Sequence, residues 1–166
     1  LQQIVNTNSE PALNILTPNF QHLPNFESLE KIIGKTRIFL QENSPLIDLS
    51  GLESLTRMGS LELRASESGA ATAFNSLIGL QSLDSLYGLL RIVHLSNLSL
   101  LEMSDLEYVE RIQLIDNPIL SEVTMSSNVT LDEGTLSFNS NPSLQTCSAS
   151  PTICQLISTA GVVAMT

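Results

Sequence analysis

The chain has no Trp, and aromatic residues make up only 4% of its 166 residues, although hydrophobic residues make up 42%. A core with so few large rings has to be filled by Leu, Ile and Val in regular layers, which favours a repetitive fold. Cations are scarce as well: seven Lys and Arg stand against seventeen Asp and Glu, for a net charge of -10. That balance argues against nucleic acid or anionic lipid as a partner, since both depend on clustered cationic side chains. No apolar run approaches the ~20 residues of a membrane-spanning helix, so direct membrane insertion is not expected. The start, Leu1-Gln2-Gln3, has neither Met nor a signal peptide. The sequence therefore reads as a trimmed or mature piece, long enough for one domain with a real core.

Cysteine and histidine are nearly absent. Cys147 and Cys154 have a C-x6-C spacing that fits neither a zinc site nor a redox motif. A local disulfide is expected, contributing roughly 2.5 kcal/mol in the chain-entropy model and implying an oxidising compartment; two buried free thiols are the alternative. Neither metal nor cofactor is called for. The sequons Asn97-Leu98-Ser99 and Asn128-Val129-Thr130 would permit glycosylation on a secretory route.

What the chain does contain is self-similarity. Asn43, Asn97, Asn117 and Asn141 are each followed three residues later by Leu. Aligned on them, the preceding segments start at Ile38, Ile92, Ile112 and Leu136, and Leu61 to Ser66 fits as a further copy with Ser66 in place of Asn. Spacings along this column are 23, 31, 20 and 24 residues, around the ~20 to 29 of leucine-rich repeats, with one turn lengthened by residues 68–73. Apolar residues alternate within each segment, the period of a strand with one buried face. The inward columns read Ile38, Leu61, Ile92, Ile112, Leu136 and Leu40, Leu63, His94, Leu114, Phe138. A second inward side follows each corner at Leu46/Leu49, Leu100/Met103, Leu120/Val123 and Leu144/Cys147, and Gly34, Gly59, Gly88 and Gly134 are placed for tight turns into the strands.

These observations predict a mainly β fold: a short right-handed parallel β-helix, leucine-rich-repeat-like, of about five rungs with a C-terminal capping helix. Ser150 and Pro151 would start that helix and Gly161 would end it. The Asn side chains are expected to face inward and satisfy backbone groups at the corners, stacking as a ladder. That orientation makes Asn97 a poor sugar acceptor.

The stretches "GLESLTRMGSLEL" (Gly51 to Leu63), "LEYVERIQLIDNPILSEV" (Leu106 to Val123) and "EGTLSFNSNPSLQTC" (Glu133 to Cys147) resemble the receptor L domain. This leucine-rich-repeat-like β-helix module occurs in insulin and EGF receptor ectodomains, fungal wall proteins and bacterial surface proteins. The resemblance covers roughly residues 26–166. It implies an extension or cap over 1–25, an L-like solenoid over 26–147 and a cap over 148–166. It departs from the family at Ser66 and in having no partner Cys near the N-terminus.

For chemistry, the solvent face of the sheet matters most. Its expected columns are Arg37, Ser60, Arg91, Arg111 and Thr135; Phe39, Glu62, Val93, Gln113 and Ser137; and Gln41, Arg64, Leu95, Ile115 and Asn139. Glu62 is the only carboxylate among them, whereas acid/base catalysis on polysaccharides needs a convergent pair. His94 reads as a hydrogen-bonded core imidazole, unless the third rung slips by one residue and exposes it; His22 falls in a Pro-rich loop. Arg beside apolar residues on a flat, rigid sheet is typical of recognition patches. The competing reading is that these Arg pair with Glu62 or lie under another domain. The expectation is a non-enzymatic, extracellular or cell-surface module that binds a protein or glycan through Arg37, Phe39, Glu62, Arg64, Arg91, Val93, Leu95, Arg111, Gln113 and Ile115. The alternatives are a structural wall or surface spacer and, behind it, a polysaccharide-active β-helix enzyme.

Overall fold

The computed structural model describes residues 3–5, 11–16, 19–66 and 72–159, with 133–135 and 159 described by backbone alone. The alternating segments form β3 (Lys31–Leu40), β4 (Arg57–Ala65), β5 (Ser85–Val93), β7 (Tyr108–Ile115) and β9 (Thr130–Asn139). They pair in parallel in that order and make the long side of a parallel solenoid of about five turns. A second side is built by β6 (Leu100–Met103), β8 (Glu122–Met125) and β10 (Thr146–Ser148), also parallel. In the first two turns the chain passes this side without strands, yet still buries Leu46, Leu49, Phe74 and Leu77.

A third side, beyond the two expected, closes each turn. Leu29, Leu55, Leu83, Leu106 and Val129 are all buried there. Each donates its backbone N–H to the carbonyl three residues earlier: Phe26, Leu52, Leu80, Met103 and Ser126, at 2.7 to 3.1 Å. Each buried aliphatic side chain in this interior contributes about 1.5–3 kcal/mol.

Strand register corrects the expected columns. Thr36, Leu61, Leu90, Ile112 and Leu136 form one inward column, and Ile38, Leu63, Ile92, Leu114 and Phe138 the next. Relative to the alignment on Asn, β3 and β5 are each displaced by two residues. Stacked residues are 25, 29, 22 and 24 apart, not 23, 31, 20 and 24. An even slip leaves every side chain on its own face, so the inward set survives while its neighbours change.

The Asn column divides in two. Asn117 and Asn141, 0% and 3% exposed, are stacked and saturated. Asn117 Nδ2 donates to Asn141 Oδ1 (3.0 Å) and to the Ile92 carbonyl (3.2 Å). Asn141 Oδ1 also accepts the Asn117 backbone N–H (3.1 Å), and Asn141 Nδ2 donates to the Leu114 carbonyl (2.8 Å). Asn43 and Asn97, expected inward, are exposed. Asn43 occupies a left-handed corner (φ 59°), which Asn tolerates well, and Asn97 donates from the surface to the Thr72 carbonyl. The true third-turn equivalent of Asn117 is Leu95, whose N–H donates to Asn117 Oδ1 (3.1 Å). Accordingly Leu98 and Leu101, rather than Leu100 and Met103, continue the column of Leu120/Val123 and Leu144/Cys147.

His94 is not the core imidazole expected, and the third turn has not slipped by one residue either. His94, Asp116 and Ser140 turn the three corners with φ of 59, 53 and 57°, directly ahead of Leu95, Asn117 and Asn141. His94 is thereby left partly exposed, with Nδ1 3.5 Å from Asp116 Oδ2.

The glycines also differ from expectation. Gly34, Gly59 and Gly88 lie inside the long strands, at bulges where the register shifts, not in turns before them. Gly34 has φ 116°. A Cβ on Gly59 would collide with the Gly34 carbonyl oxygen, so the second turn admits only glycine at this bend, whereas the fourth passes it with Glu110.

Both ends are covered. β1 (Gln3–Val5) pairs with the first half of β3 and β2 (Leu13–Leu16) with the second. At the other end α1 (Pro151–Thr159) packs on β9 and β10, buries Ile153 and Ile157, and is joined to β10 by the Cys147–Cys154 disulfide. Pro151 is its first residue, as expected, but the buried Ser150 hydroxyl has no hydrogen-bond partner and so makes no capping bond. Gly161 lies outside the described residues.

Replacing Asn117 with Ala orphans the Leu95 N–H and the Ile92 carbonyl and is expected to cost on the order of 2 to 4 kcal/mol. The exposed Asn43→Ala should cost about 1 kcal/mol, from the left-handed turn alone. Urea denaturation of the two variants checks the ranking.

Candidate functional site

Between the glycine bulges and the corners, the outer face of the long sheet carries three columns. They are Lys35, Ser60, Leu89 and Arg111; Arg37, Glu62, Arg91, Gln113 and Ser137; and Phe39, Arg64, Val93, Ile115 and Asn139. Nine of the ten residues expected on this face are on it. The exception is Leu95, fully buried past the corner at 0% exposure. Val93 remains on the face but at only 3% exposure, between its register neighbours Arg64 and Ile115.

The two-residue correction changes the electrostatics. Arg37 and Arg91 no longer share a column with Ser60; they flank Glu62 directly. Glu62 Oε2 lies 3.2 Å from Arg37 Nε, Glu62 Oε1 3.1 Å from Arg91 Nη1, and Lys35 Nζ from the adjacent column also contacts Oε2. Glu62 itself is 7% exposed. Burial works to raise its pKa, but the bond and charge of Lys35, then those of Arg37, outweigh that effect, so the carboxyl titrates below its usual range. For Arg37 and Arg91, pairing with Glu62 is what the sequence left open as the competing reading, and it is the arrangement found.

Lys35 was the residue missed. It stands two before Arg37 on the same face, but Thr36 between them is polar where the other strands have Leu or Ile, so the alternation appeared to begin at Ile38. The Leu29/Ile32, Leu55/Met58, Leu83/Leu86 and Leu106/Val109 pairs, each at spacing three, give the register before the bulges without reference to Asn, and each bulge then shifts it by one residue to that of the outer columns.

His22 and Asp48 pair with each other outside the strands of this sheet. His22 Nδ1 is 2.9 Å from Asp48 Oδ1, which also accepts the Ser50 N–H at 3.0 Å. Burial raises the Asp48 pKa and the His22 and Ser50 hydrogen bonds more than offset this, leaving it lowered. Among the described residues no Ser, Thr or Cys side chain bonds His22, and no group of three or more His, Cys, Asp or Glu is placed to hold a metal ion. Glu110 Oε1 pairs with Arg111 Nε (3.1 Å), and Asp132 accepts from the Tyr108 hydroxyl (3.0 Å). No described helix is long and apolar enough to cross a membrane. Compared with known proteins, the sequence matches no family model, and no curated protein or solved structure matches it significantly.

Glu62→Gln leaves three cations facing one another across adjacent strands and is expected to lower stability at neutral pH by roughly 1–3 kcal/mol. Because the folded-state pKa is depressed, Glu62 stabilises the fold above its unfolded value of about 4.3, and that contribution is lost as pH falls through the lower folded value. The difference in urea midpoint between wild type and variant should therefore begin to narrow as pH falls below about 4.3 and close once Glu62 is protonated in the folded state. A difference that persists unchanged into stronger acid would exclude an electrostatic origin.

Proposed function

We propose that the protein is a non-enzymatic recognition module of the receptor-L-domain type, presented outside the cell, which binds a protein or glycan through the outer face of its long sheet. The observation that carries this reading is the column Phe39, Arg64, Val93, Ile115 and Asn139. It forms a mixed apolar and polar strip on a hydrogen-bonded sheet, braced by the Arg37–Glu62–Arg91 ladder. Binding to such a surface costs little ordering, because the strands and the charged ladder are already fixed. The chemistry of Glu62 supports a role other than hydrolysis. A glycoside hydrolase uses two carboxyl groups roughly 5–10 Å apart, one of them protonated, whereas Glu62 is held ionised and shared among three cations. The disulfide supports an oxidising, extracellular setting.

One observation favours a structural spacer instead: Lys35, Arg37 and Arg91 are already committed to Glu62 and offer little charge to a partner. The two readings separate on a glycan array and a panel of purified surface proteins. Phe39→Glu combined with Ile115→Glu should leave the melting curve within a few degrees and weaken any binding about tenfold or more. Undiminished binding by the double variant would exclude the face, and a wild-type protein that binds nothing on either panel would favour the spacer.

A further inference from the structure

Before the glycine bulges, the long sheet presents a second outer surface of different character. Val5 pairs with Ile33, and Ile33, Gly59 and Tyr87 each follow the paired residues Ile32, Met58 and Leu86. They form a row across β1, β3, β4 and β5. Val5, Ile33 and Tyr87 are 54%, 44% and 55% exposed, half of the strongly exposed large hydrophobic residues among those described. Gly59, between Ile33 and Tyr87, has no side chain to fill the row. The gap is a cleft of about 310 Å³ bordered by Lys31 and Arg57. It is built into the fold, because a Cβ on Gly59 would collide with the Gly34 carbonyl. Tyr87 is steadied against Tyr108, their ring centroids 5.7 Å apart.

The charge here is also distinct. Every one of the seven Lys and Arg lies on β3, β4, β5 or β7, although the chain carries a net charge of -10. Lys35, Arg37, Arg91 and Arg111 are ion-paired. Lys31 and Arg57 are register partners, and among the described residues neither has a carboxylate within ion-pairing distance. Two cations with no described carboxylate partner thus sit side by side at an apolar cleft, on a molecule of net negative charge.

The geometry points to a docking cleft for an acidic peptide segment of a partner protein. A bulky apolar side chain of the segment seats over Gly59 between Ile33 and Tyr87, and flanking carboxylates pair with Lys31 and Arg57. A peptide fits better than a sugar because the lining offers no Asn, Gln, Asp or Glu, the side chains that satisfy paired sugar hydroxyls. The assignment rests on the recognition reading and deepens it, placing the partner's chemistry on the other half of the sheet.

The test is an amide and side-chain NMR titration of the whole chain with a capped peptide of one Phe flanked by Asp pairs, beside its Ser-flanked counterpart. Shifts centred on Ile33, Gly59 and Tyr87, an affinity that falls severalfold with added salt, and a loss of about tenfold in Lys31→Glu/Arg57→Glu would support the cleft. Equal binding of the Ser-flanked peptide, or no shift at these residues, would overturn it. Shifts confined to Phe39 and Ile115 would overturn the cleft while leaving recognition by the sheet intact. A uronate oligosaccharide that displaced the peptide from Tyr87 would replace the peptide assignment with an acidic glycan. Tyr87→Ser, which removes an exposed ring and leaves the core untouched, guards against misreading a folding defect as lost binding.

Discussion

A parallel solenoid sets each residue about 4.8 Å above its equivalent in the next turn, so every column must tolerate its own repetition. Leu over Ile does so by packing. Charged, amide and glycine positions meet the requirement in three different ways. In the second outer column the signs alternate, Arg37, Glu62, Arg91, where three Arg in succession would repel. At the corner Asn141 lies over Asn117 and donor meets acceptor, as only a side chain carrying both can arrange. At the bend glycine stacks on glycine, because the backbone of one turn occupies the space a side chain of the next would need.

The same constraint separates the two halves of the long sheet. Beyond the bulge, strand-to-strand contacts satisfy the charges and leave a rigid mixed surface. Before it, Gly59 interrupts the outer row, and Lys31 and Arg57 stand side by side, with the uncharged Gln3 and Ser85 as their other register partners. Net charge summed over the chain conceals this division. The sum of -10 argued against polyanions, and the argument holds for the molecule as a whole, yet all the positive charge is gathered on one sheet.

Face assignment was largely legible in the sequence, and neighbour assignment was not. Alternation fixed which residues turn inward, and it survives a slip of two residues, so Ile38, Leu63, Ile92 and Leu114 were rightly placed in the core. Pairing depended on Asn43 and Asn97 as landmarks. Asn43 serves a left-handed turn and Asn97 a surface bond, so neither marks the corner that Asn117 and Asn141 occupy. With the landmarks displaced, Arg37 was set beside Ser60 and the Glu62 network stayed hidden. His94 was misread for a related reason: a left-handed corner breaks the alternation at that residue, and no local pattern announces a positive φ in His. Lys31, Ile33, Arg57 and Tyr87 were passed over because glycines inside a strand look like the turns that end one.

The near-constant separation of stacked residues, from 22 to 29 along the chain, has a consequence for cohesion. Closing loops of those lengths differs by only about 0.2 kcal/mol, so chain entropy does not choose which turns assemble first, and side chains decide. The last three turns have two sheets, the Asn117–Asn141 bridge and a cross-link within the final turn. The first two have one sheet and no buried amide ladder. The solenoid is therefore graded, tight at its C-terminal end and looser toward its start, and the loose end holds the Gly59 cleft. An occupant spanning β3 to β5 would act as a clasp on the turns that the protein itself fastens least.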